Sequence, residues 1–522
     1  MPDLVLAVDQ GSSSSRCVAL NSDLEPVAIA SRPLAAAFPG VGRVEHDAGA
    51  LLDGVRAVLA EALAMAGSGW DDVAGIGLAA QTETFVVWDR ASGEPVHPAI
   101  SWRDSRAAAL CADLRRGGHE PAIVARTGLP LQPAFSAAKL AWLLDEVPGA
   151  RRAAASGRLL FGDVNCWLTW RLSGGAVHAT EPSMAARTML FNLATGTWDP
   201  VMLDLFGVPE QMLPVIVPTT GPVACTDAAA CGGQATIFAS IGDQQAALFG
   251  QRCWREGMAK LSLGTGAFLW CNAGTALPPA APAGVVASCA WQLAGQTTYA
   301  LEGFVPNAGG ITTWLRGLGV LGAGAWPLIR PGAVAATAGP WCVPAIFGLG
   351  TPHWAAGASA LLGGLTAGST GQDVAEAALL GVVHQIVDAI DAVRHGLPSP
   401  LLVLRADGGL SRNDSVLAAI ADLSGVELER PAVTELSAWG AGALAAIGGG
   451  RYDLAALAGL PFASGRRVRP ELPAAARADA RAAWQAVLGS WLAAGQPGSG
   501  GQPGPCGGTA TDQTAGQRGG RP

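Results

Sequence analysis

The segment LVLAVDQGSSSSR, residues 4–16, decides the fold of the chain around it. Its aliphatic residues predict a buried strand, which ends at Asp9 before a turn of glycine and serine. Small residues let a backbone approach an anion closely, and their N–H groups can converge on phosphate oxygens. Arg16 can neutralise charge there, and Asp9 can hold Mg²⁺ directly or through water. The segment therefore predicts a phosphate site, with an ordinary polar surface turn as the alternative.

Two later turns repeat this pattern of glycine and hydroxyl after an apolar run. AKLSLGTGAFLWC, residues 259–271, predicts two strands joined at a Gly-Thr-Gly tip. RADGGLSRND, residues 405–414, follows another apolar run, and its glycine pair can admit a flat base or a phosphate. For residues 405–414, an ordinary turn between a strand and a helix is the alternative. The tips of the two hairpin-like segments, one in each half of the chain, predict two loops that face each other across a cleft.

Short apolar runs alternate with amphipathic stretches along the chain. The runs that predict buried strands are VLAV before Asp9, GIGLAAQ from Gly75, FVVWD from Phe85, IFASIGD from Ile237 and LLVLRADGG from Leu401. Residues 373–393 predict a helix, because apolar side chains recur every fourth residue from Val374 to Ile390. Strands interleaved with helices predict an α/β fold.

Carboxylates and tryptophans also follow predicted strands, in a pattern that suits a polyhydroxylated ligand. In SIGDQQAALFGQ, residues 240–251, Asp243 precedes two glutamines. A carboxylate there can accept a proton from a hydroxyl while an amide orients its neighbours, and a helix cap is the alternative role. Glu83 follows one predicted strand and precedes another, and ISWRDSR places Trp102, Asp104 and Arg106 together. Packing is the commoner role of any single tryptophan in a chain that has 17.

Composition excludes several classes of function. The 522 residues carry a net charge of −8 with no basic stretch, so we expect no nucleic-acid partner. The ten cysteines form no CxxC pair, which favours buried thiols over a zinc site. Neither a signal peptide nor an apolar run long enough to span a membrane is seen, and a cytoplasmic location is expected. Residues 495–522 are rich in glycine and proline and predict a disordered tail.

Eight segments, taken in order, show a resemblance that none of them shows alone. They are VDQGSSSSR, GRVEHD, FSAAKLAWLLDE, RTMLFNLATGTWD, GDQQAALFGQ, EGMAKLSLGTGAF, YALEGFVPNAGG and RADGGLSRN. From residue 4 to about residue 445 the chain resembles the FGGY carbohydrate kinases, and within that family the glycerol kinase branch. The resemblance implies two actin-like, ribonuclease-H-like domains that flank a catalytic cleft. Residues 1–250 would bind mainly the substrate, and residues 251–494 mainly the nucleotide.

The same resemblance implies ATP and Mg²⁺ as cofactors and a small polyol or sugar as substrate. Asp243 would be the general base, and Asp9 and Asp243 would place the metal. The residues implied at the substrate are Thr82, Glu83, Trp102, Ala134, Asp243, Gln244 and Phe268. The residues implied at the nucleotide are Ser12, Ser13, Ser14, Arg16, Thr265, Gly266, Gly309, Thr313, Gly409 and Asn413.

Two positions depart from the family pattern on one wall of the implied site. Thr82 stands where glycerol kinases have an arginine that contacts glycerol, and Ala134 stands where they have a tyrosine. A buried site binds its ligand less well by about 1–3 kcal/mol for each lost partner. The default activity is phosphorylation of glycerol, and the two losses favour, as the alternative, a tetritol, pentitol or pentulose in a roomier pocket. A non-catalytic sugar-binding relative is a further alternative, and the resemblance implies a homodimer or homotetramer.

Overall fold

The structure, a computed structural model, describes residues 3–278, 284–322, 324, 327–336, 338–355, 357–433, 435–462 and 465–493. The tail predicted to be disordered, residues 495–522, lies outside these residues. Among the residues that are described, no helix combines the length and the apolar character needed to cross a membrane. The described cysteines are free thiols and all but Cys225 are buried, as expected for cysteines that do not bind zinc.

Strands and helices alternate through the first half of the chain. Its strands are β1 (Leu4–Gln10), β2 (Ser14–Leu20), β3 (Pro26–Pro33), β4 (Glu45–His46), β5 (Val73–Ala80), β6 (Phe85–Asp89), β7 (Ala99–Ile100), β8 (Leu159–Asp163), β9 (Ala179–Thr180), β10 (Phe191–Asn192), β11 (Thr197–Trp198), β12 (Val215–Ile216), β13 (Thr220–Cys225) and β14 (Thr236–Gly242). Its α-helices are α1 (Ala48–Met65), α2 (Ala108–Arg116), α3 (Glu120–Thr127), α4 (Ser136–Glu146), α5 (Ala150–Ala155), α6 (Val164–Leu172), α7 (Pro182–Ala185), α8 (Pro200–Phe206), α9 (Ala228–Cys231) and α10 (Asp243–Gly250).

The second half has the same alternation. Its strands are β15 (Met258–Leu263), β16 (Ala267–Asn272), β17 (Val286–Leu293), β18 (Gln296–Val305), β19 (Trp341–Val343), β20 (Leu361–Gly363), β21 (Val403–Asp407), β22 (Leu428–Arg430) and β23 (Arg466–Val468). Its α-helices are α11 (Gly310–Gly317), α12 (Gly371–His395), α13 (Asp414–Ser424), α14 (Leu436–Gly448), α15 (Leu454–Gly459) and α16 (Ala474–Ala493). Short 3₁₀ helices are formed by Trp70–Asp72, Glu210–Met212, Ala333–Ala335 and Gly409–Arg412.

The two halves share one strand order. In the first, β3, β2 and β1 are antiparallel neighbours, and β5 and then β14 continue the sheet in parallel. In the second, β18, β16 and β15 are the antiparallel neighbours, and β21 and β22 continue it in parallel. Three antiparallel strands followed by two parallel ones therefore occur twice, which turns the weak sequence likeness of the two halves into a structural repeat.

The five strands predicted from apolar runs are present as β1, β5, β6, β14 and β21. β1 and β5, in the first sheet, and β6, in a separate four-stranded sheet, are buried almost throughout, whereas residues of β21 alternate between buried and half-buried. Both predicted hairpins are also confirmed: β1 pairs antiparallel with β2, and β15 with β16. The predicted helix over residues 373–393 is α12, which begins two residues earlier because Thr370 and Asp373 form a reciprocal capping box.

Helix α14 joins the two halves. It belongs to the second half of the chain but packs on β1, β5 and β14 of the first sheet and on α10. Glycines make this close approach possible: a Cβ on Gly77 would lie 2.2 Å from the backbone oxygen of Ala441. Residues 1–250 therefore do not pack as an isolated unit. A helix from beyond the boundary predicted at residue 250 completes the packing of the first sheet.

Candidate active site

Asp9 and Asp243 lie at one edge of the first sheet, although they are far apart in the sequence. Asp9 is near the end of β1, and Asp243 directly follows β14; both strands flank β5 in parallel. The carboxyl ends of parallel strands form the usual ligand edge of such a sheet. Helix α10 begins at Asp243 itself, and Gly242 is its N-cap residue. The alternative role of Asp243 as a helix cap is therefore wrong, and its carboxylate is available for chemistry.

The carboxylates of Asp9 and Asp243 both have raised pKa values. Burial raises the pKa of Asp9 to about 6, against the opposing charge of Arg16. Burial and then the negative charge of Asp9 raise the pKa of Asp243 to about 7, while Lys260 lowers it. Because Asp9 has the lower pKa, it ionises first, and its charge then opposes ionisation of Asp243. A base with a pKa near neutrality is well matched to accepting a proton at physiological pH.

The same pair fits a magnesium ion. Among the described residues, no group of three or more His, Cys, Asp or Glu side chains is placed to hold a metal. Mg²⁺ needs fewer protein ligands, because it keeps several waters and is bound by one or two carboxylates together with substrate phosphates. Burial and nearby negative charges raise the pKa values of Asp9 and Asp243. A divalent cation bound by the two carboxylates would offset these effects, because it stabilises their charged forms.

A cavity of about 200 Å³ opens beside Asp243. All the residues predicted at the substrate line it, namely Thr82, Glu83, Trp102, Ala134, Asp243, Gln244 and Phe268. Lining residues that were not predicted include Gln81, Gln132, Arg187, Glu302, Phe304 and Trp354. Ser12, predicted at the nucleotide phosphates, also lines it, and its Oγ accepts a hydrogen bond from Trp102 Nε1 at 2.9 Å. The phosphate turn and the substrate cavity therefore meet at Ser12.

Glu83 is held in a strained conformation by its neighbours. Its φ of 61° lies in the left-handed region, where a residue other than glycine is uncommon. Ser136 Oγ and Lys139 Nζ both donate to its backbone oxygen, at 3.2 and 3.3 Å. Thr82 Oγ1 donates to its carboxylate at 2.7 Å, so the residue that replaced the expected arginine binds Glu83. This network fixes the Glu83 carboxylate as an acceptor on the cavity wall.

Arg187 links Glu83 to the second half of the chain. Its Nε donates to Glu83 Oε1 at 2.6 Å, and its Nη1 donates to Glu302 Oε2 at 2.7 Å. Glu302 lies on β18, so this buried ion pair crosses from one half to the other. The two acidic neighbours compensate the cost of burying the guanidinium and hold its pKa above the ordinary arginine value.

A lysine fixes the amide of Gln244. Lys260 Nζ donates to Gln244 Oε1 at 2.7 Å and to Ser262 Oγ at 3.0 Å. Because the amide oxygen is occupied, the Gln244 NH₂ group is left to donate. Lys260 is on β15 and Gln244 on α10, so this contact also joins the two halves. The Lys260 side chain is buried beside Asp243, and burial lowers its pKa.

Aromatic rings form one wall of the cavity. Phe268 lies with its ring centroid 4.9 Å from that of Phe304 and 6.4 Å from that of Trp102. Phe304 continues the row to Trp354 at 6.4 Å. Ala134 also lines the cavity and adds no polar group, and its backbone oxygen accepts from Lys139 Nζ at 2.6 Å. The cavity is thus polar around Asp243 and Glu83 and apolar along this row.

Most residues predicted at the nucleoside line a second cavity, of about 730 Å³. They are Gly309, Thr313 and Gly409. Thr265, predicted opposite the phosphate-binding serines, also lines this cavity, and unpredicted neighbours in the lining include Trp314 and Phe347. The β15–β16 tip is held against the start of α11, because the backbone oxygen of Thr265 accepts from Ala308 N at 2.8 Å and Gly310 N at 3.0 Å. A base or ribose in this cavity would lie between the hairpin tip and the glycine turn after β21.

Two predicted nucleotide residues have other positions. Asn413 is buried and caps α13: its Nδ2 donates to the oxygen of Pro327 at 2.8 Å, and its Oδ1 accepts from Ser415 N. It does not line the second cavity. Gly266 is also outside that lining, although its oxygen accepts from Gly264 N at 3.0 Å in the tip.

The β1–β2 turn has the compact form that the sequence predicts. Gly11 N donates to Ser14 O at 3.0 Å, and Ser13 at the tip is exposed. Arg16 lies opposite Asp9 in the hairpin and pairs with Glu435 of the second half. Its charge is therefore already partly compensated, and a phosphate at the turn would share the guanidinium with Glu435.

These features define an enzyme of the carbohydrate kinase class. Residues 4–250 match the N-terminal domain, and residues 259–449 the C-terminal domain, of the FGGY family of carbohydrate kinases. The chain belongs to this family. The repeated strand order is accordingly that of two actin-like domains, as the resemblance implied.

Glycerol kinases are among its similar relatives. The chain is 43% identical to glycerol kinase of Geobacter sp. (strain M21) over 485 residues, which cover 92% of this chain and 97% of the relative. It is 42% identical to glycerol kinase of Thermus brockianus, with 93% and 97% covered. The crystal structure of Plasmodium falciparum glycerol kinase with ADP superimposes with a TM-score of 0.86 at 25% identity, covering 94% of this chain and 98% of that one. A xylulose kinase from Rhodospirillum rubrum shares the fold, with a TM-score of 0.80 at 23% identity and 94% and 98% covered.

Sequence reasoning missed the cationic residues that position the site. Lys139 and Lys260 are the only lysines in a chain that otherwise uses arginine, and both are fully buried behind the cavity, where they bond to residues that line it. That bias was the available signal, because a residue type retained at only two positions points to a requirement for a compact ammonium. Arg187 and Glu302 lie in two of the segments that carry the family resemblance, RTMLFNLATGTWD and YALEGFVPNAGG, but no pattern within those segments indicated a role at the substrate.

Proposed function

We propose that this protein transfers the γ-phosphoryl group of MgATP to a primary hydroxyl of a small polyol, with glycerol as the default acceptor. One observation carries the proposal: Asp243 has a raised pKa, heads α10 at the ligand edge of the first sheet, and lines a cavity that Gln244 and Glu83 share. A non-catalytic relative would have no need of a buried, electrostatically costly carboxylate at this position. The alternative of a sugar-binding protein without catalysis is therefore disfavoured.

The chemistry follows from the positions of these side chains. Asp243 accepts the proton of the hydroxyl as its oxygen attacks the γ-phosphorus, while Gln244 and Glu83 orient the neighbouring hydroxyls. Asp9 and Asp243 would hold Mg²⁺, which would supply charge neutralisation at the phosphate oxygens. The β1–β2 turn with Ser12, Ser13 and Ser14, and the tip at Thr265, would hold the phosphates, and Arg16 would add a positive charge while it remains paired with Glu435.

The cavity sets the size of the acceptor. A cavity of about 200 Å³ accommodates a three-carbon triol. Thr82 and Ala134, both in its lining, are smaller than the arginine and tyrosine of the family pattern. A tetritol, pentitol or pentulose is therefore the second candidate acceptor. We further propose a cytoplasmic enzyme without a nucleic-acid partner, assembled as a homodimer or homotetramer.

A substrate panel tests this function. Coupled ADP release would be measured with glycerol, erythritol, xylitol and D-xylulose at saturating MgATP. We expect turnover of at least one acceptor, and a fall of about a hundredfold or more for Asp243→Asn. Equal ADP release by the Asp243→Asn variant, or none with any acceptor, would contradict the kinase assignment. A clear preference for glycerol over every longer acceptor would remove the second candidate.

A further inference from the structure

Arg187 supplies a guanidinium at the cavity wall. The arginine of the family pattern is missing from this wall, because Thr82 stands in its place. Both residues line the substrate cavity, and Arg187 is 5% exposed. It follows the short helix α7, far in sequence from the β5–β6 connection that carries Thr82 and Glu83. The cavity therefore keeps an arginine, but the arginine comes from a different element.

The guanidinium of Arg187 is held in one orientation. Glu83 accepts from Nε at 2.6 Å, and Glu302 accepts from Nη1 at 2.7 Å. The rings of Phe135 and Trp270 lie with their centroids 5.2 and 5.3 Å from Cζ. Two carboxylates and two rings thus fix the planar group, so any further hydrogen bond that it makes has a set direction.

One nitrogen of the Arg187 guanidinium makes no hydrogen bond within the described part of the chain. Among the described residues, Arg187 Nη2 has no hydrogen-bond partner, whereas Nε and Nη1 each have one. Nη2 keeps some accessible surface, and the open space that Arg187 lines is the substrate cavity. A bound molecule with an oxygen at this wall would complete the donor set.

We infer that Arg187 determines specificity at this site, by donating from Nη2 to the substrate hydroxyl farthest from Asp243. The inference rests on the proposed polyol kinase function. Asp243 and Arg187 both line the cavity, and Arg187 bonds to Glu83 and Glu302 rather than to Asp243, so the two side chains can reach different hydroxyls of one substrate. Because Glu302 belongs to the second half of the chain, this donor is in position only when the two halves are together.

The test compares two acceptors that differ by one hydroxyl. Glycerol and propane-1,2-diol both offer a primary hydroxyl next to a secondary one, and only glycerol has the distal hydroxyl. Dissociation constants would be measured by calorimetry for the wild type, for Arg187→Lys and for a control, Arg126→Lys. Lysine keeps the charge of Arg187 but not the planar fork that serves three acceptors. Arg126 is 40% exposed, pairs with Asp199 at 3.0 Å and does not line the cavity.

We expect the wild type and the control to bind glycerol about ten- to a hundredfold more tightly than propane-1,2-diol, the range for a hydrogen bond to a charged group. Arg187→Lys should weaken glycerol binding by that factor and leave propane-1,2-diol nearly unchanged. KM for glycerol should rise while kcat changes little. Equal affinity of the wild type for glycerol and propane-1,2-diol, or equal weakening of both by Arg187→Lys, would overturn the inference.

Two further readouts separate the possible causes of failure. Binding does not depend on turnover, so discrimination without ADP release would overturn the kinase function and leave the role of Arg187 intact. If Arg187→Lys does not fold, a crystal structure of the wild type with glycerol decides the question. A distal hydroxyl within hydrogen-bond distance of Nη2 supports the inference, and one directed away from Arg187 refutes it.

Discussion

Replacing Asp243 by asparagine is expected to abolish phosphoryl transfer and to stabilise the folded protein at neutral pH. Burial and Asp9 raise the pKa of Asp243 from 3.8 to about 7. Between these values the folded state binds more protons than the unfolded state, so wild-type stability falls as pH rises from about 4 to about 7. A pKa that rises from 3.8 to about 7 corresponds to a cost of about 4 kcal/mol above pH 7. Asparagine does not ionise, so the variant escapes that cost.

The assay is thermal unfolding between pH 4.5 and 8 without Mg²⁺ or nucleotide. At about 2.1 cal/mol/K of unfolding entropy per residue, a chain of this length shifts by about 1 °C for each 1 kcal/mol. We therefore expect a midpoint about 4 °C above the wild type at pH 8 and a difference that shrinks towards pH 4.5. Asp479→Asn, an exposed position on α16, is the control and should follow the wild type. Parallel curves for the wild type and Asp243→Asn would refute the assignment of a raised pKa.

Three further predictions concern residues around the cavity. Lys139→Met leaves the backbone oxygens of three residues without the donor that reaches them at 2.6–3.3 Å, so the unfolding midpoint should fall by several degrees in the same thermal assay. Lys260→Met removes the donor that fixes the Gln244 amide, so kcat should fall about tenfold or more. It also removes a positive charge that lowers the pKa of Asp243, so the acid limb of the kcat–pH profile should move to higher pH. Phe304→Ala enlarges the apolar wall, and the ratio of kcat/KM for xylitol to that for glycerol should rise; a ratio that falls would contradict the position given to Phe304.

Local sequence was sufficient for the elements that carry the site. Apolar runs predicted β1, β5, β6, β14 and β21. In β1, β5 and β6, which are buried almost throughout, there is little polar surface to obscure the pattern. Glycine and hydroxyl residues predicted both hairpins. The acidic residue after β14 was singled out from its immediate neighbours alone, and all the residues predicted at the substrate line one cavity.

Contacts between distant segments were not predictable in the same way. Nothing near Arg187 in the sequence indicates that it lies between Glu83 and Glu302. The side chain of Asn413 matched a family motif, yet it caps α13, because an amide at a helix start can bond the backbone of its own turn. The packing of α14 on the first sheet likewise depends on glycines from both halves, whose close approach is visible only in three dimensions.

The sequence by itself determined the kind of protein: a repeated α/β unit with two glycine-rich hairpins and an acid after a central strand. These properties depend on residues a few positions apart, whose periodicity and turn chemistry act locally. Only the tertiary structure decided which charges meet. Sheet order brings Asp9 beside Asp243 and lobe packing sets Arg187 between two carboxylates, because burial and electrostatic coupling depend on distances in space rather than along the chain.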